Sequence, residues 1–267
     1  MIKIVVAGAA GRMGREIVRA VVASPGVDLA AGFERPNHEA LGQDLGSLAG
    51  LGPLNKPLVD SLAEAGRGSE VLIDFTTPQA SLANVETAVE MGLAAVVGTT
   101  GLSPDQTTWL EELAQRRPVV FSPNMSVGVN VLLKLVGEAA RLLGPVFDLE
   151  VVEAHHRMKE DAPSGTALGL ARALAEARGL DLDQAGVFAR QGAVGRRRDD
   201  EIGVQAVRAG DIIGEHTVIL AGPGERLELI HRAHSRANFA QGAVRAASWV
   251  AAQEAGLYSM QDVLGLK

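Results

Sequence analysis

The stretch VAGAAGRMG, residues 6–14, decides the fold of the first part of the chain. Before the glycines, IKIVVAG is rich in β-branched residues and predicts a buried strand, and after them REIVRAVVA has apolar residues at helical spacing. Gly8, Gly11 and Gly14 therefore form a GxxGxxG pattern at a turn from strand to helix. Glycines let such a turn approach a pyrophosphate that faces the helix N-terminus. The spacing differs from GxGxxG, so the position of the motif carries more weight than its pattern.

The next predicted strand, VDLAAGFE, leads to Glu34 and Arg35, about 20 residues beyond the glycines, where a ribose-reading residue is expected. A carboxylate can accept hydrogen bonds from both ribose hydroxyls of NADH, whereas a guanidinium can hold the 2′-phosphate of NADPH or stack on adenine. The pair predicts use of either cofactor. The alternative interpretation is a glycine turn that packs strand against helix, with Glu34 and Arg35 as a solvated pair.

Strands and helices continue to alternate up to about residue 124. EVLIDFTTP, LAAVVGTTG and RPVVFSPN are predicted strands, and helices are predicted over residues 79–91 and after Ser103 and Pro104. This alternation predicts a parallel, doubly wound α/β sheet. GTTG and SPNM follow strands, so they are either lining of a cofactor crevice or ordinary turns. Residues 40–57 show no period and predict only a surface connection.

The pattern changes after residue 124. VNVLLKLVGEAARLL predicts a long helix, FDLEVVEAHH a strand, and TALGLARALAEARG a helix that ends at Gly179. Three strand-like runs follow, which predicts an α+β second domain with an antiparallel or mixed sheet. The tail from Arg236 is again helical and could pack on either domain.

The composition excludes several classes of protein. The net charge is -7 and aromatic residues make up 3%, so nucleic acid finds neither a positive field nor stacking platforms. There is no cysteine, which excludes disulfides, thiolate metal sites and cysteine nucleophiles. No secretory leader and no apolar run of roughly 20 residues is visible, so no membrane partner is expected and the cytoplasm is compatible.

The stretch HHRMKEDAPSGTA, residues 155–167, admits three kinds of chemistry. A metal site would use Glu153, His155 and His156, but neighbouring residues on a strand point to opposite faces and do not readily share one ion. A nucleophile site would use Ser164 or Thr166, but no G-x-S-x-G pattern surrounds Ser164. Acid–base catalysis combined with anion binding is the remaining possibility.

For that possibility, a histidine and Lys159 bring protons and positive charge, while PSGT opens a helix whose free N–H groups can receive a carboxylate. The plain alternative is a charged loop before a helix that Ser164 caps. It leaves unexplained why His155, His156, Arg157 and Lys159 cluster in an acidic protein. Their charge would suit a small dianionic substrate.

The chain also resembles a known family. Six motifs occur in family order over nearly the whole length, VAGAAGRMG, FER, GTTG, SPNMSVGVN, EAHHRMKEDAPSGTA and VRAGDIIGEHTV, and they closely resemble those of bacterial dihydrodipicolinate reductases. The resemblance implies an NADH- or NADPH-dependent oxidoreductase of lysine and diaminopimelate biosynthesis. Such an enzyme reduces 4-hydroxy-tetrahydrodipicolinate to tetrahydrodipicolinate, and the substrate hydroxyl is lost as water.

The same resemblance implies the domain organisation. A Rossmann-like dinucleotide-binding domain would comprise residues 1–126 and 236–267, so that the last helix returns to it. Residues 127–235 would form an α+β domain that binds the substrate and whose sheet assembles a homotetramer. A cytoplasmic location is expected.

The resemblance further assigns roles to individual residues. It implies that His155 donates or accepts a proton and that Lys159 donates one, as catalytic residues. His156, Gly165 and Thr166 fall at positions that bind the substrate carboxylates. The cofactor positions are Gly8, Ala9, Ala10, Gly11, Arg12, Met13, Glu34, Arg35, Gly98, Thr99, Thr100, Ser122, Pro123, Asn124 and Met125. No metal is expected.

Two alternatives stay open. Another NAD(P)-dependent oxidoreductase, such as one that acts on a semialdehyde, would share the cofactor motifs. A non-catalytic NAD(P) sensor would keep the glycine loop but would not need His155 and Lys159. The family varies most at the ribose-reading pair, so the preference between NADH and NADPH is also open. Met125 stands where some members have an aromatic residue.

Overall fold

The computed structural model describes residues 1–266. The chain divides into two compact units, Met1–Val127 together with the segment from Arg236, and Gly128–Ser235. The predicted first domain extends to Lys267, which lies outside the described residues. None of the helices within residues 1–266 combines the length and the apolar character needed to cross a membrane.

The strands of the described chain fall into two sheets. In chain order they are β1 (Ile2–Ala7), β2 (Val27–Phe33), β3 (Val71–Asp74), β4 (Ala94–Val97), β5 (Val119–Phe121), β6 (Asp148–His155), β7 (Gly186–Val187), β8 (Ile202–Arg208), β9 (Glu215–Gly222), β10 (Glu225–Arg232) and β11 (Leu257–Tyr258). The helices are α1 (Arg12–Ala23), α2 (Leu45–Ala49), α3 (Leu62–Ala65), α4 (Pro78–Glu90), α5 (Pro104–Ala114), α6 (Val127–Leu143), α7 (Gly165–Arg178), α8 (Leu182–Ala185), α9 (Ala237–Val250) and α10 (Met260–Val263).

The first unit contains a six-stranded sheet in the order β11-β5-β4-β3-β1-β2, and all neighbouring strands are parallel. In the interior strand β1, Ile4 and Val6 pack on one face with Ile17 of α1, and Val5 packs on the other face with Leu110 of α5. Apolar residues on both faces are typical of a parallel strand covered by helices on both sides. The predicted α/β, doubly wound parallel sheet is confirmed.

The second unit contains a five-stranded mixed sheet in the order β10-β9-β6-β8-β7. β9 is antiparallel to β6 and β10, whereas β6, β8 and β7 run parallel. Val151, Val204 and Val218 are fully buried in a cluster with residues of α6 and α7. Alternate residues such as Val152 and Thr217 are only partly buried, so one face carries the core, and the predicted α+β second domain is confirmed.

Residues 40–57 are more ordered than the sequence predicts. The Asp44 carboxylate accepts backbone N–H groups of Ser47, at the start of α2, and of Leu54 and Lys56 farther along, while Leu45 is buried. These contacts bridge up to twelve residues, so no local period reveals them. They also hold the pKa of Asp44 at about 2, mainly through the Leu54 N–H.

The tail differs from its prediction at its end. The helix predicted from Arg236 is present as α9, but it stops at Val250. β11 then pairs with β5 at the edge of the first sheet, through Leu257 beside Val119 and Tyr258 beside Val120. A strand of two residues has no recognisable pattern of its own.

Candidate active site

Most of the predicted cofactor residues lie at one edge of the first sheet. Gly8 follows β1, Glu34 follows β2, Gly98 follows β4 and Ser122 follows β5. Because these strands are parallel, their carboxyl ends share an edge. Chain order reverses between β1 and β3, so this is the switch point where open α/β sheets bind ligands.

The glycine loop is packed too tightly for side chains. Gly8 has a φ of 60°, in the left-handed region, and Gly11 is the N-cap of α1 without a side-chain cap. A Cβ on Gly14 would overlap the carbonyl oxygen of Gly8 and lie 2.6 Å from the Cα of Ala9. The start of α1, at Arg12 and Met13, therefore presents free N–H groups beside a close backbone turn, which fits a pyrophosphate.

A cavity of about 710 Å³ lies at this edge, within the size range of ligand pockets. Its lining includes Gly8, Glu34, Arg35, Thr76 and Asn84. The Glu34 carboxylate accepts the backbone N–H of Arg35 at 3.3 Å, and the Arg35 side chain is exposed. An acceptor and a cation thus border one cavity, which fits the predicted ribose-reading position.

The other predicted cofactor residues differ in exposure. Thr100 and Pro123 are exposed, whereas Thr99 and Ser122 are buried. The Ser122 hydroxyl donates to the Asn124 carbonyl at 3.0 Å. The side chains of Ala9, Ala10 and Met125 are buried in the core of the first unit, at 1%, 7% and 1% exposure, so only their backbone can face a ligand.

Asp74, at the end of β3, is a residue of this edge that the sequence analysis did not single out. Its buried carboxylate accepts hydrogen bonds from the N–H and hydroxyl of Thr76, from the amide of Asn84 and from the hydroxyl of Thr99. The carboxylate thereby connects two cavity-lining residues with the GTTG loop. In the sequence, the signal for this residue is an acidic side chain at the end of the otherwise apolar strand VLID.

In the second unit, the histidine-rich stretch begins at the end of β6 and leads to α7. The Nδ1 of His155 lies 2.6 Å from Oε2 of Glu153, the residue two positions earlier on the same strand face. His156 starts a turn that the Lys159 N–H closes on the His156 carbonyl. Nζ of Lys159 donates to Asp161 at 2.8 Å. The pKa of Asp161 is lowered, chiefly by this bond.

Ser164 caps α7 as predicted, and its hydroxyl accepts the N–H of Ala167 at 3.2 Å. Gly165 is therefore the first residue of the helix, where an N–H group has no intrahelical acceptor, and Thr166 follows it. Gly165 is exposed and a Cβ on it would meet nothing within 4 Å. An open helix start of this kind can receive a carboxylate.

Glu153 is fully buried and accepts donors at both oxygens. Arg208 of β8 contacts it as a fork, with Nη1 and Nη2 each 2.8 Å from one oxygen, and the Ser164 N–H donates to Oε1 at 3.0 Å. Burial alone would raise the pKa of Glu153, but hydrogen bonds from Arg208, His155 and Ser164 outweigh it and leave the pKa lowered. Glu153 is thus ionised at neutral pH.

Burial also lowers the pKa values of two neighbouring histidines. It lowers the pKa of His155, although the bond to Glu153 and its charge act in the opposite direction. His216 of β9 packs edge-on against His155, with ring centroids 5.3 Å apart, and its Nε2 lies 3.4 Å from the Ser164 hydroxyl. Burial, then the charges of His155 and His231, lower the pKa of His216 to about 4. Both His155 and His216 are therefore neutral at pH 7.

A metal ion is not suggested by this geometry. Within residues 1–266, no group of three or more His, Cys, Asp or Glu side chains is arranged to hold one. The oxygens of Glu153 already face Arg208, His155 and the Ser164 N–H.

Comparison with known proteins decides the family. The family model described as dihydrodipicolinate reductase, N-terminus, matches residues 2–125, and the model for the C-terminus of the same family matches residues 128–264. The chain belongs to the dihydrodipicolinate reductase family. This confirms the resemblance seen in the sequence.

Relatives within this reductase family align over the full length. A protein named 4-hydroxy-tetrahydrodipicolinate reductase from Anaeromyxobacter sp. is 54% identical over 267 residues, which cover 100% of this chain and 99% of the relative. A protein of the same name from Syntrophobacter fumaroxidans is 50% identical and both chains are covered completely.

A solved structure agrees with the fold. The dipicolinate-bound dihydrodipicolinate reductase from Paenisporosarcina sp. TG-14 superposes with a TM-score of 0.76 at 26% identity, covering 98% of each chain. An amine dehydrogenase from Mycobacterium smegmatis superposes with a TM-score of 0.61 at 15% identity, covering 97% of this chain and 95% of the other, and shows likeness of fold alone.

Proposed function

We propose that this chain reduces 4-hydroxy-tetrahydrodipicolinate to tetrahydrodipicolinate with NADH or NADPH, in lysine and diaminopimelate biosynthesis in the cytoplasm. The observation that carries the proposal is identity of 50 to 54% over the whole length with relatives that bear this reductase's name. The reaction removes the hydroxyl and one ring proton as water and adds one hydride and one proton to the ring. The protein must therefore hold a hydride donor, a dicarboxylate and a proton donor.

The first unit is the proposed dinucleotide-binding domain. The close approach of Gly8 and Gly14, which leaves no room for a Cβ, fits a backbone that contacts a pyrophosphate. N–H groups at Arg12 and Met13 would bind the phosphates, and Glu34 and Arg35 would bind the adenosine ribose or its 2′-phosphate. The loops 98–100 and 122–125 complete the same edge. NADH or NADPH, when bound there, supplies the hydride.

The second unit is the proposed substrate domain. The open start of α7 at Gly165 and Thr166, with His156, binds the substrate carboxylates. Lys159 brings positive charge and a proton. His155, which directs Nδ1 at Glu153, keeps Nε2 to accept or return a proton.

The second unit is also the proposed oligomerisation domain. The face of its sheet opposite the core carries Val152, Thr217 and Ile230 in one cross-strand row, and Ile230 is 46% exposed. We expect this face to assemble the homotetramer that the family resemblance implies. Analytical ultracentrifugation should find a tetramer for the wild type and smaller species for Ile230→Glu, and a monomeric wild type would refute the assembly.

A coupled assay tests the activity. Pyruvate and aspartate semialdehyde are condensed enzymatically to give the substrate. The oxidation of NADH or NADPH is then followed by the loss of absorbance of the reduced cofactor. We expect wild-type turnover with at least one cofactor. Removal of a general acid or base at Lys159→Met or His155→Gln should lower kcat by roughly 10²- to 10⁴-fold. Lys134→Met, on the exposed side of α6, is the matched lysine control and should turn over normally.

The outcomes separate the alternatives. No oxidation of either cofactor by the wild type would refute the proposed reaction. Unchanged turnover in both His155→Gln and Lys159→Met would remove their proposed roles. Calorimetric titration with dipicolinate, a ring dicarboxylate that the solved relative binds, should show binding, whereas failure to bind would favour a semialdehyde substrate.

A further inference from the structure

The buried carboxylate of Glu153 meets three separate parts of the second unit. It contacts the His155 ring on its own strand, the guanidinium of Arg208 on β8 and the Ser164 N–H at the start of α7. A buried ion is stable only if its charge and its hydrogen-bonding positions are matched. All these donors must therefore keep their places for the carboxylate to remain satisfied.

Arg208 extends the same connection to the loop that carries Lys159. Its Nη2 donates to the Asp161 carbonyl at 2.6 Å, and the carboxylate of Asp161 accepts Nζ of Lys159 at 2.8 Å. Backbone pairing also continues past the strand ends, where the Ala209 N–H donates to the His155 carbonyl at 2.9 Å. The ends of β6 and β8 are thus fixed against each other at this point.

We propose that Glu153 and Arg208 form a positioning pair that holds His155, the Lys159 loop and the start of α7 in one arrangement and fixes the tautomer of His155. The inference rests on the proposed function, because it gives His155 a part in turnover. In this proposal the pair does not itself contact the substrate. It acts through His155, Lys159 and the start of α7, which are the proposed substrate contacts.

The tautomer follows from the direction of one hydrogen bond. An ionised carboxylate only accepts, so Nδ1 of His155 must carry the hydrogen that points at Glu153. In the neutral ring the lone pair then resides on Nε2. Gly214 lies beside this nitrogen, and a Cβ there would be 3.1 Å from Nε2. The glycine leaves space next to the atom that is to exchange the proton.

The groups around His155 act on its charge in opposite directions. Glu153 favours the protonated ring, whereas burial, Lys159 and Arg208 disfavour it, and His216 packs against the ring edge. Replacement of Glu153 by glutamine removes the one favourable charge among them. The pKa of His155 should then fall further, which moves the corresponding limb of the pH profile toward acid.

The chain offers a matched control on the same strand. Glu150, three residues before Glu153, is held by Arg190 in a similar fork, with distances of 2.8 and 2.7 Å, but it lies on the opposite face of β6. Glu150→Gln and Glu153→Gln therefore each remove one carboxylate from an arginine fork. Only the second removes the partner of His155.

The test compares the pH dependence of kcat and kcat/KM for the wild type and both variants. We expect Glu153→Gln to lower kcat by roughly 10- to 100-fold, the range found when the hydrogen-bond partner of a metal-binding histidine is removed. Its pH profile should shift toward acid, while Glu150→Gln keeps the wild-type profile. If Glu153→Gln and Glu150→Gln give the same profile as the wild type, the inference is wrong. If the wild type itself oxidises no cofactor, the proposed function fails instead.

A second measurement needs no variant at Glu153, in case that protein does not fold. ¹⁵N NMR of the histidine rings in the wild type reports which nitrogen carries the hydrogen, and the signals of His155 are assigned by their loss in His155→Gln. We expect neutral His155 to be protonated at Nδ1. Protonation at Nε2 would overturn the inference whatever the kinetics show.

Discussion

Replacement of His216 by glutamine should remove a loss of stability that the wild-type chain undergoes in mild acid. His216 is 3% exposed, and its pKa is about 4 in the folded chain against an ordinary value of 6.5. As the pH falls below 6.5, the unfolded chain binds a proton here and the folded chain does not. The free energy of unfolding therefore falls as the pH decreases from about 6.5 to about 4.

The size of the effect follows from the two pKa values. A shift of one unit corresponds to about 1.4 kcal/mol, so the complete shift corresponds to roughly 3 kcal/mol, of which about 2 kcal/mol is lost between pH 7 and pH 5. The wild type should thus lose about 2 kcal/mol more than His216→Gln over this interval. Any constant cost of the buried glutamine cancels, because each protein is compared with itself.

Urea unfolding followed by circular dichroism at pH 7 and pH 5 measures the difference, at one protein concentration and ionic strength. His38→Gln, which removes a histidine of the first unit, controls for the loss of one imidazole and should keep the acid-dependent loss. If the wild type and His216→Gln lose equal stability between the two pH values, His216 is not held neutral by its surroundings. The burial of His216 and its packing against His155 would then not lower its pKa as expected.

Three further substitutions test the two sites. Gly14→Ala should weaken the binding of NADH and lower stability by about 1 to 3 kcal/mol, because its Cβ overlaps backbone. Gly137→Ala in the open middle of α6 should be neutral or stabilising. Calorimetric titration with NADH measures the binding, and urea unfolding measures the stability. Ser164→Ala should cost about 1 kcal/mol by loss of the cap of α7, and Ser164→Thr should restore most of it in the same unfolding assay. Asp74→Asn places an amide N–H group against the donors of Thr76, Asn84 and Thr99, so the free energy of unfolding should fall by about 1 to 3 kcal/mol and NADH should bind more weakly. Unaltered binding of NADH would show that this carboxylate does not organise the predicted cofactor edge.

The sequence predicts the first sheet well because its signals are local. Each strand is a short apolar run, and each helix repeats its apolar residues within a few turns, so a window of about 11 to 18 residues contains the information. The connection over residues 40–57 has no such signal. Its order depends on Asp44, which accepts the N–H groups of Leu54 and Lys56 ten and twelve residues away. A contact over that distance is visible only when the chain is folded.

The same distinction separates the parts of the site that were predicted from those that were not. The residues of HHRMKEDAPSGTA are adjacent in the chain, and the structure brings His155, Lys159 and Ser164 to the same end of the second sheet. Their assigned roles stay predictions. Arg208 lies 55 residues from Glu153, and His216 lies 52 residues from Ser164. Both reach the site through strand pairing, which sets His155 beside Arg208 and Glu153 beside His216. The order of strands in a mixed sheet cannot be predicted from any single segment of the sequence.

One contact of the site could have been predicted more fully. In EAHH, Glu153 and His155 are two positions apart on a predicted strand, so their side chains must share a face, whereas His156 follows on the other side of the chain. That rule argues against a metal site made of both histidines, and it equally argues for a carboxylate beside the first of them. The spacing of Glu153 and His155 in EAHH thus predicts the tautomer of His155. Those four residues do not include Arg208, whose hydrogen bonds to Glu153 are the strongest of the contacts that lower the pKa of this carboxyl against the effect of burial.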